Sequence, residues 1–124
     1  MKILSVDDSP MIRKVIRGAV EMMGHELVEA GDGLEALSIL ENQYKKISLV
    51  LCDWNMPKLD GFSLLLKMKE DERFKSIPVT MVTTEVDRLR VIQAIQAGAK
   101  NYLMKPFSPE ALIAKIKESL GEGV

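Results

Sequence analysis

The chain has 124 residues, with 17 Lys and Arg against 18 Asp and Glu for a formal charge of −1, which excludes a strong global attraction to nucleic acid or anionic lipid. At 47% hydrophobic and 28% charged residues it has the make-up of an ordinary folded protein of one-domain length. The single cysteine, Cys52, excludes an internal disulfide or a cysteine zinc site and suits a reducing cytoplasm, and no apolar run approaches the roughly 18 residues of a membrane span.

The apolar start is interrupted at Asp7-Asp8, too early for an export signal. Short β-rich runs then alternate with helix-period segments. Residues 2–6 form a first strand. Ser9-Pro10 opens a helix, with Ser as N-cap and Pro at the first helical position. Met11, Ile12, Val15, Ile16, Ala19 and Met23 share one helical face, and Gly24 ends the helix as a left-handed cap. Residues 26–30 are a weaker second strand, and Gly31-Asp32-Gly33 turns the chain into a helix over about 34–42. Residues 47–52, apolar nearly throughout, are the clearest strand and are expected to be buried on both faces. A loop over 53–60 containing Pro57 leads to a helix over 61–70. Strand four covers 78–83, with its Pro confined to the strand start. A helix over about 87–97 stops at Gly98, strand five covers 101–104, and Ser108-Pro109 repeats the Ser-Pro opening of a last helix running to about 120. Five βα units in this order imply an α/β fold: a single (βα)5 doubly wound domain, its parallel five-stranded sheet covered by helices on both faces. Periodicity leaves the strand order open.

In such sheets ligands bind beyond the carboxyl ends of the strands. Asp7 and Asp8 follow strand one, Asp53 follows strand three, Thr83 and Thr84 stand at the end of strand four, and Lys105 follows strand five. A single Asp there is commonly a turn or cap residue, and a single Lys is commonly solvated. Three carboxylates gathered at one sheet end repel one another unless neutralised. A hard divalent cation such as magnesium does this with oxygen ligands, and Lys105 beside it can serve as a point charge for phosphoryl oxygens. The pair Lys105-Pro106 also raises the chance of a cis peptide.

These motifs, Asp7-Asp8, Asp53-Trp54-Asn55-Met56-Pro57 with Asp60-Gly61, Val82-Thr83-Thr84 and Lys105-Pro106-Phe107, resemble the receiver domain of bacterial response regulators. The resemblance covers essentially the whole chain. Residues 53–57 and Gln96-Ala97-Gly98-Ala99 are similar to the chemotaxis regulators of that family. The resemblance implies the strand order 2-1-3-4-5. It implies that Asp53 is the nucleophile, taking a phosphoryl group from a sensor histidine kinase or phosphotransfer protein. Asp8, Asp53 and the main-chain carbonyl of Asn55 are then the holders of Mg2+, with Mn2+ as an alternative, and Asp7 acts mainly through water. Lys105 and the cation neutralise the transferring group. Thr83 swings toward a phosphoryl oxygen, Tyr102 turns inward behind it, and Asn55 and Glu85 stand where dephosphorylation is tuned. The chain would thus catalyse its own phosphorylation and dephosphorylation while serving as a signalling protein. Its implied output face is helix four, strand five and helix five, with Arg88, Val91, Ile95, Tyr102 and Lys115. Its implied partners are the kinase, a phosphatase and a downstream protein, in chemotaxis a flagellar switch component. A cytoplasmic monomer that binds no nucleic acid and enters no membrane is expected.

Two departures stand out. Thr84 replaces the alanine usual in the chemotaxis regulators, and its bulk narrows the way to the site. Asp87 and Arg90 alter the charge pattern of helix four. The length leaves no room for an output domain, so residues 1–124 are read as one receiver domain. It is either a complete regulator acting by protein contact, as Met1 so near strand one suggests, or a receiver excised from a larger protein. A phosphorelay intermediate, a phosphate sink and a phosphorylation-independent binding module are the alternatives; the last usually lacks a key residue. A flavodoxin-like module would need a Ser/Thr-rich loop after strand one, and a haloacid dehalogenase-type phosphatase would need Asp-x-Asp there. His25 is read as exposed and not catalytic. The eight Met residues are read as mostly on apolar helix faces and loop ends, filling gaps, with Met56 in the site loop as an exception. Cys52 is read as a small core residue beside the site, and Trp54 as a fluorescence reporter.

Overall fold

A computed structural model describes residues 1–84 and 88–121 of the chain. Five strands, β1 (Lys2–Val6), β2 (Glu26–Ala30), β3 (Ile47–Cys52), β4 (Val79–Thr83) and β5 (Asn101–Met104), alternate with five helices. These are α1 (Pro10–Met22), α2 (Gly33–Gln43), α3 (Gly61–Glu70), α4 (Arg88–Gln96) and α5 (Pro109–Leu120). The strands form one parallel sheet in the order β2-β1-β3-β4-β5, as the resemblance implies.

Local chemistry sets the helix starts. Ser9 and Ser108 accept from the main-chain N–H groups of Ile12 and Ala111, each with a proline at the next position. Asp32 and Asp60 do the same for Glu35 and Ser63. Gly24 has φ +79°, the left-handed turn expected after α1. α2 is one residue longer at each end than its periodicity suggests, with Asp32 capping its start. β4 begins at Val79; Pro78 stays outside it, and its carbonyl accepts from Val50 N–H at 3.0 Å. The expected helix start at Asp87 lies outside the described residues.

Alternation along the strands splits the core in two. Leu4, Val6, Val50, Cys52, Val79 and Met81 face one side with Ala36, Leu40, Leu64, Leu65 and Met68. Ile3, Leu49, Leu51, Val82 and Leu103 face the other with Ile16, Val20, Leu112 and Ile116. On the second side Thr80 and Ser119 share a hydrogen bond of 2.6 Å, both side chains buried, and Ser119 Oγ donates to the Lys115 carbonyl at 2.7 Å. This polar stitch joins β4 to α5.

The methionines depart from expectation. Met68 and Met81 are fully buried, whereas Met1, Met11, Met22 and Met104 are exposed. Met11 stands in the first turn of α1, ahead of the stretch from Ile16 onward that lies on the sheet.

Candidate functional site

β1 and β3 are neighbours, and their pairing carries past both strand ends. Val6 sits opposite Cys52, and the next residue, Asp53, donates its N–H to the Val6 carbonyl at 2.9 Å. Asp7 N–H in turn donates to the Ala30 carbonyl at 3.0 Å. Two acidic residues are therefore carried by the central ladder and buried, with Asp7 at 1% and Asp53 at 7% exposure. Asp8 is exposed beside them, and carboxylate oxygens of all three lie within 4.8 Å of one another.

Among the described residues, Lys105 brings a cation into this group. Lys105 Nζ stands 2.8 Å from Asp7 Oδ2 and 3.4 Å from Asp53 Oδ2. Its backbone is held by its own N–H to the Thr83 carbonyl at 2.9 Å, and the Lys105–Pro106 peptide is cis. Asp7 Oδ1 is occupied by the Ser9 N–H at 2.8 Å. Burial pushes the Asp53 carboxyl above its ordinary value; Lys105 draws it down, Asp7 pushes it up, and the Trp54 main-chain N–H lowers it slightly. Three carboxylates against one ammonium leave uncompensated negative charge. Hard oxygen donors at this spacing fit a magnesium-like cation, so the site meets that requirement on its own chemistry.

The loop after Asp53 is tightly packed. Gly61 N–H donates to the Trp54 carbonyl at 2.8 Å, and a Cβ on Gly61 would collide with the Asp53 carbonyl and stand 3.0 Å from Cys52 Sγ. Only glycine lets α3 start so close to the acidic group. Lys58 adopts φ +67° in this loop, and Asn55 is exposed in it. Trp54 is 6% exposed; Phe62 stacks on it at 5.1 Å between centroids and 16° between planes. Cys52 is fully buried, its Sγ 3.4 Å from the Asp53 carbonyl and 3.9 Å from that of Gly61. Burial first, and then the charge of Asp53, pushes its thiol far above the usual range.

The structure thus brings Asp7, Asp8, Asp53 and Lys105 together, with Thr83 buried at the adjacent end of β4 and Thr84 exposed next to it. Glu85 lies outside the described residues. Arg88 and Ile95 are exposed on α4, Val91 is half-buried, and Tyr102 on β5 is half-buried against the core. Lys115 on α5 donates to Asn101 Oδ1 at 3.3 Å, and the same oxygen accepts the Tyr102 N–H at 2.9 Å. The sequence reading missed Leu89, Ile92 and Met104, which are 70%, 44% and 37% exposed on this side. The three-residue spacing of Leu89, Ile92 and Ile95 was the available signal, on a helix that buries only Ala94. His25 is half-buried rather than exposed, because its ring lies 3.3 Å from the Met1 amino group. Among the described residues no helix is long and apolar enough to cross a membrane.

Comparison with known proteins agrees with this geometry. The family model of the response regulator receiver domain matches residues 3–117. Chemotaxis protein CheY1 of Helicobacter pylori is 42% identical over 123 residues, covering 98% of each chain. Chemotaxis protein CheY4 of Vibrio cholerae superposes with a TM-score of 0.88 at 32% identity, over 96% of this chain and 98% of that one. Response regulator Rcp1, solved in a Mn(2+)-bound form, superposes with a TM-score of 0.80 at 30% identity, over 94% of this chain and 89% of that one. With its five-stranded order, its acidic strand ends and the lysine that joins them, the chain belongs to the response regulator receiver domain family.

Proposed function

We propose that this receiver is a phosphorylation-activated switch whose acceptor is Asp53. The observation that carries this reading is the buried Asp53 carboxylate held beside Asp7 and Lys105 at the carboxyl end of the sheet. An Asp53 oxygen attacks the phosphorus of a phosphohistidine on a sensor kinase or phosphotransfer protein. A P–O bond forms, the P–N bond breaks, and its electron pair leaves with the imidazole. Asp8, Asp53 and the Asn55 carbonyl would hold Mg2+ or Mn2+, with Asp7 acting through water. Bound there, the cation offsets the charge that gathers as phosphoryl oxygens approach a carboxylate. Lys105 already bridges Asp7 and Asp53, so its ammonium waits where a phosphoryl oxygen would arrive.

The acyl phosphate then adds about −1.5 to −2 charges and new acceptor oxygens to the site. Thr83 turns its hydroxyl toward one of them and Tyr102 moves in behind. Asn55, Thr84 and Glu85 would govern hydrolysis. The altered face comprises Arg88, Val91, Ile95, Tyr102 and Lys115, and exposed Leu89 and Ile92 give it apolar area suited to a protein partner. The relatives named as chemotaxis proteins support a place in chemotaxis; the target would then be a flagellar switch component.

Intact mass after incubation with Mg2+ and acetyl phosphate tests the acceptor. One phosphoryl group on the wild type, dependent on Mg2+ and absent from Asp53→Asn, is the expected result. A protein that stays unmodified with small donors and with its cognate kinase would overturn the proposal in favour of phosphorylation-independent binding.

A further inference from the structure

Trp54, the residue after the proposed acceptor, is closed over by two neighbours. Phe62 of α3 stacks on the ring, and the Arg90 guanidinium of α4 stands over it at 5.6 Å from the centroid. The Trp54 carbonyl accepts the Gly61 N–H, so the peptide is fixed from the α3 side as well. α4 buries Ala94 among its nine residues, and the Arg90–Trp54 contact adds a tie from this helix to the acceptor loop. Arg90 sits between Arg88 and Val91 in the chain, at the edge of the proposed partner face.

We infer that Arg90 is a positioning residue for phosphoryl transfer: by resting on the Trp54 ring it ties α4 to the peptide that carries the Asp53 carboxylate. The inference deepens the proposed function and rests on Asp53 being the acceptor. A guanidinium over an indole is the strongest common form of cation–π contact, and at an exposed site it changes an equilibrium by about two- to fivefold. The tie works in both directions. Whatever shifts α4 changes the setting of Asp53, and whatever occupies the Asp53 site changes the population of α4 positions by the same factor.

The test compares wild type with Arg90→Met, which keeps the length and removes the charge, and Arg90→Lys, which keeps the charge. Trp54 emission, thermal midpoint and the rate of phosphorylation across a range of acetyl phosphate concentrations are read for each. In Arg90→Met, Trp54 emission should shift and kcat should fall about two- to fivefold with KM for the donor unchanged, while Arg90→Lys recovers most of both. A purely structural role would instead lower the thermal midpoint and leave kcat intact. Wild-type kcat in Arg90→Met, or failure of Arg90→Lys to restore it, overturns the inference. If the wild type takes no phosphoryl group, the acceptor assignment fails instead. The change in Trp54 emission on adding Mg2+ then decides the coupling: the same change in wild type and Arg90→Met overturns it.

Discussion

Replacing Asp53 by Asn in the metal-free protein should stabilise the fold while abolishing phosphorylation. At an effective dielectric of about 20, like charges within 4.8 Å repel by about 3.5 kcal/mol or more, and Lys105 at 3.4 Å attracts Asp53 by about 5 kcal/mol. Asp7 supplies one such repulsion, and the screened charge of exposed Asp8 adds to it, so attraction and repulsion roughly cancel. The cost of burying the carboxylate is left over. Asn keeps the shape, removes that cost, and leaves Lys105 paired with Asp7 at 2.8 Å. The gain should be about 1–2 kcal/mol, or about 3–8 °C in Tm for a domain of this size. Its pH dependence has a definite sign. Burial raises the Asp53 carboxyl above its ordinary 3.8, so the folded state holds that proton more tightly than the unfolded chain. The cost is absent below that ordinary value, grows as pH rises above it, and is complete once pH has passed the raised one. The gap between Asn and Asp therefore closes as pH falls toward about pH 4. Mg2+ should reverse the order, since a hundredfold excess over Kd adds about 2.7 kcal/mol to the wild type and less to a variant with one carboxylate fewer. Urea melts in EDTA and in Mg2+, at pH 4 and pH 7, give all four numbers. An Asn variant less stable than wild type in EDTA at pH 7 would refute the charge argument, and so would an equal Mg2+ response.

Three further outcomes follow from contacts described above. Ser119→Ala strands the buried Thr80 hydroxyl and should cost about 1–3 kcal/mol; adding Thr80→Val should restore part of that, and strictly additive costs in urea melts would show the pair is not coupled. Gly61→Ala forces α3 off the Asp53 carbonyl, so stability should drop by about 1–3 kcal/mol and the acetyl phosphate reaction by about ten- to a hundredfold; an unchanged rate would mean the loop yields without moving the acceptor. Thr84→Ala opens the rim, so dephosphorylation by a cognate phosphatase should quicken by about tenfold while the acetyl phosphate reaction keeps its rate; equal phosphatase rates would remove Thr84 from the access path.

What could be read in advance was chemistry that is local or that topology enforces. Ser9 and Ser108 bond main-chain groups three residues away, so their helix starts are written in four consecutive residues. Asp7, Asp53 and Lys105 each follow a strand, and a parallel sheet delivers all strand ends to one side; their convergence needed no side-chain detail. The strand order came from the family resemblance, because hydrophobic periodicity carries no information about neighbours. Contacts that span the chain were invisible. Thr80 and Ser119 meet across 39 residues, and nothing in either neighbourhood marks them as partners. Lys105 prefers Asp7 to Asp53, a matter of side-chain reach rather than of spacing. Met11 misled because helical periodicity records which face a residue is on, and its position along the helix decides whether the sheet lies beneath it.

The sulfur of Cys52 lies against the carbonyls of Asp53 and Gly61, at the two ends of the acceptor loop. Its thiol is sealed from solvent and kept protonated by its surroundings. An alkylating reagent can therefore reach it only in those moments when strand β3 and the start of α3 have parted. Those are the same moments in which Asp53 is out of register with Asp7 and Lys105. The speed at which this one sulfur is capped is thus a clock for the fraction of time the acidic group spends taken apart.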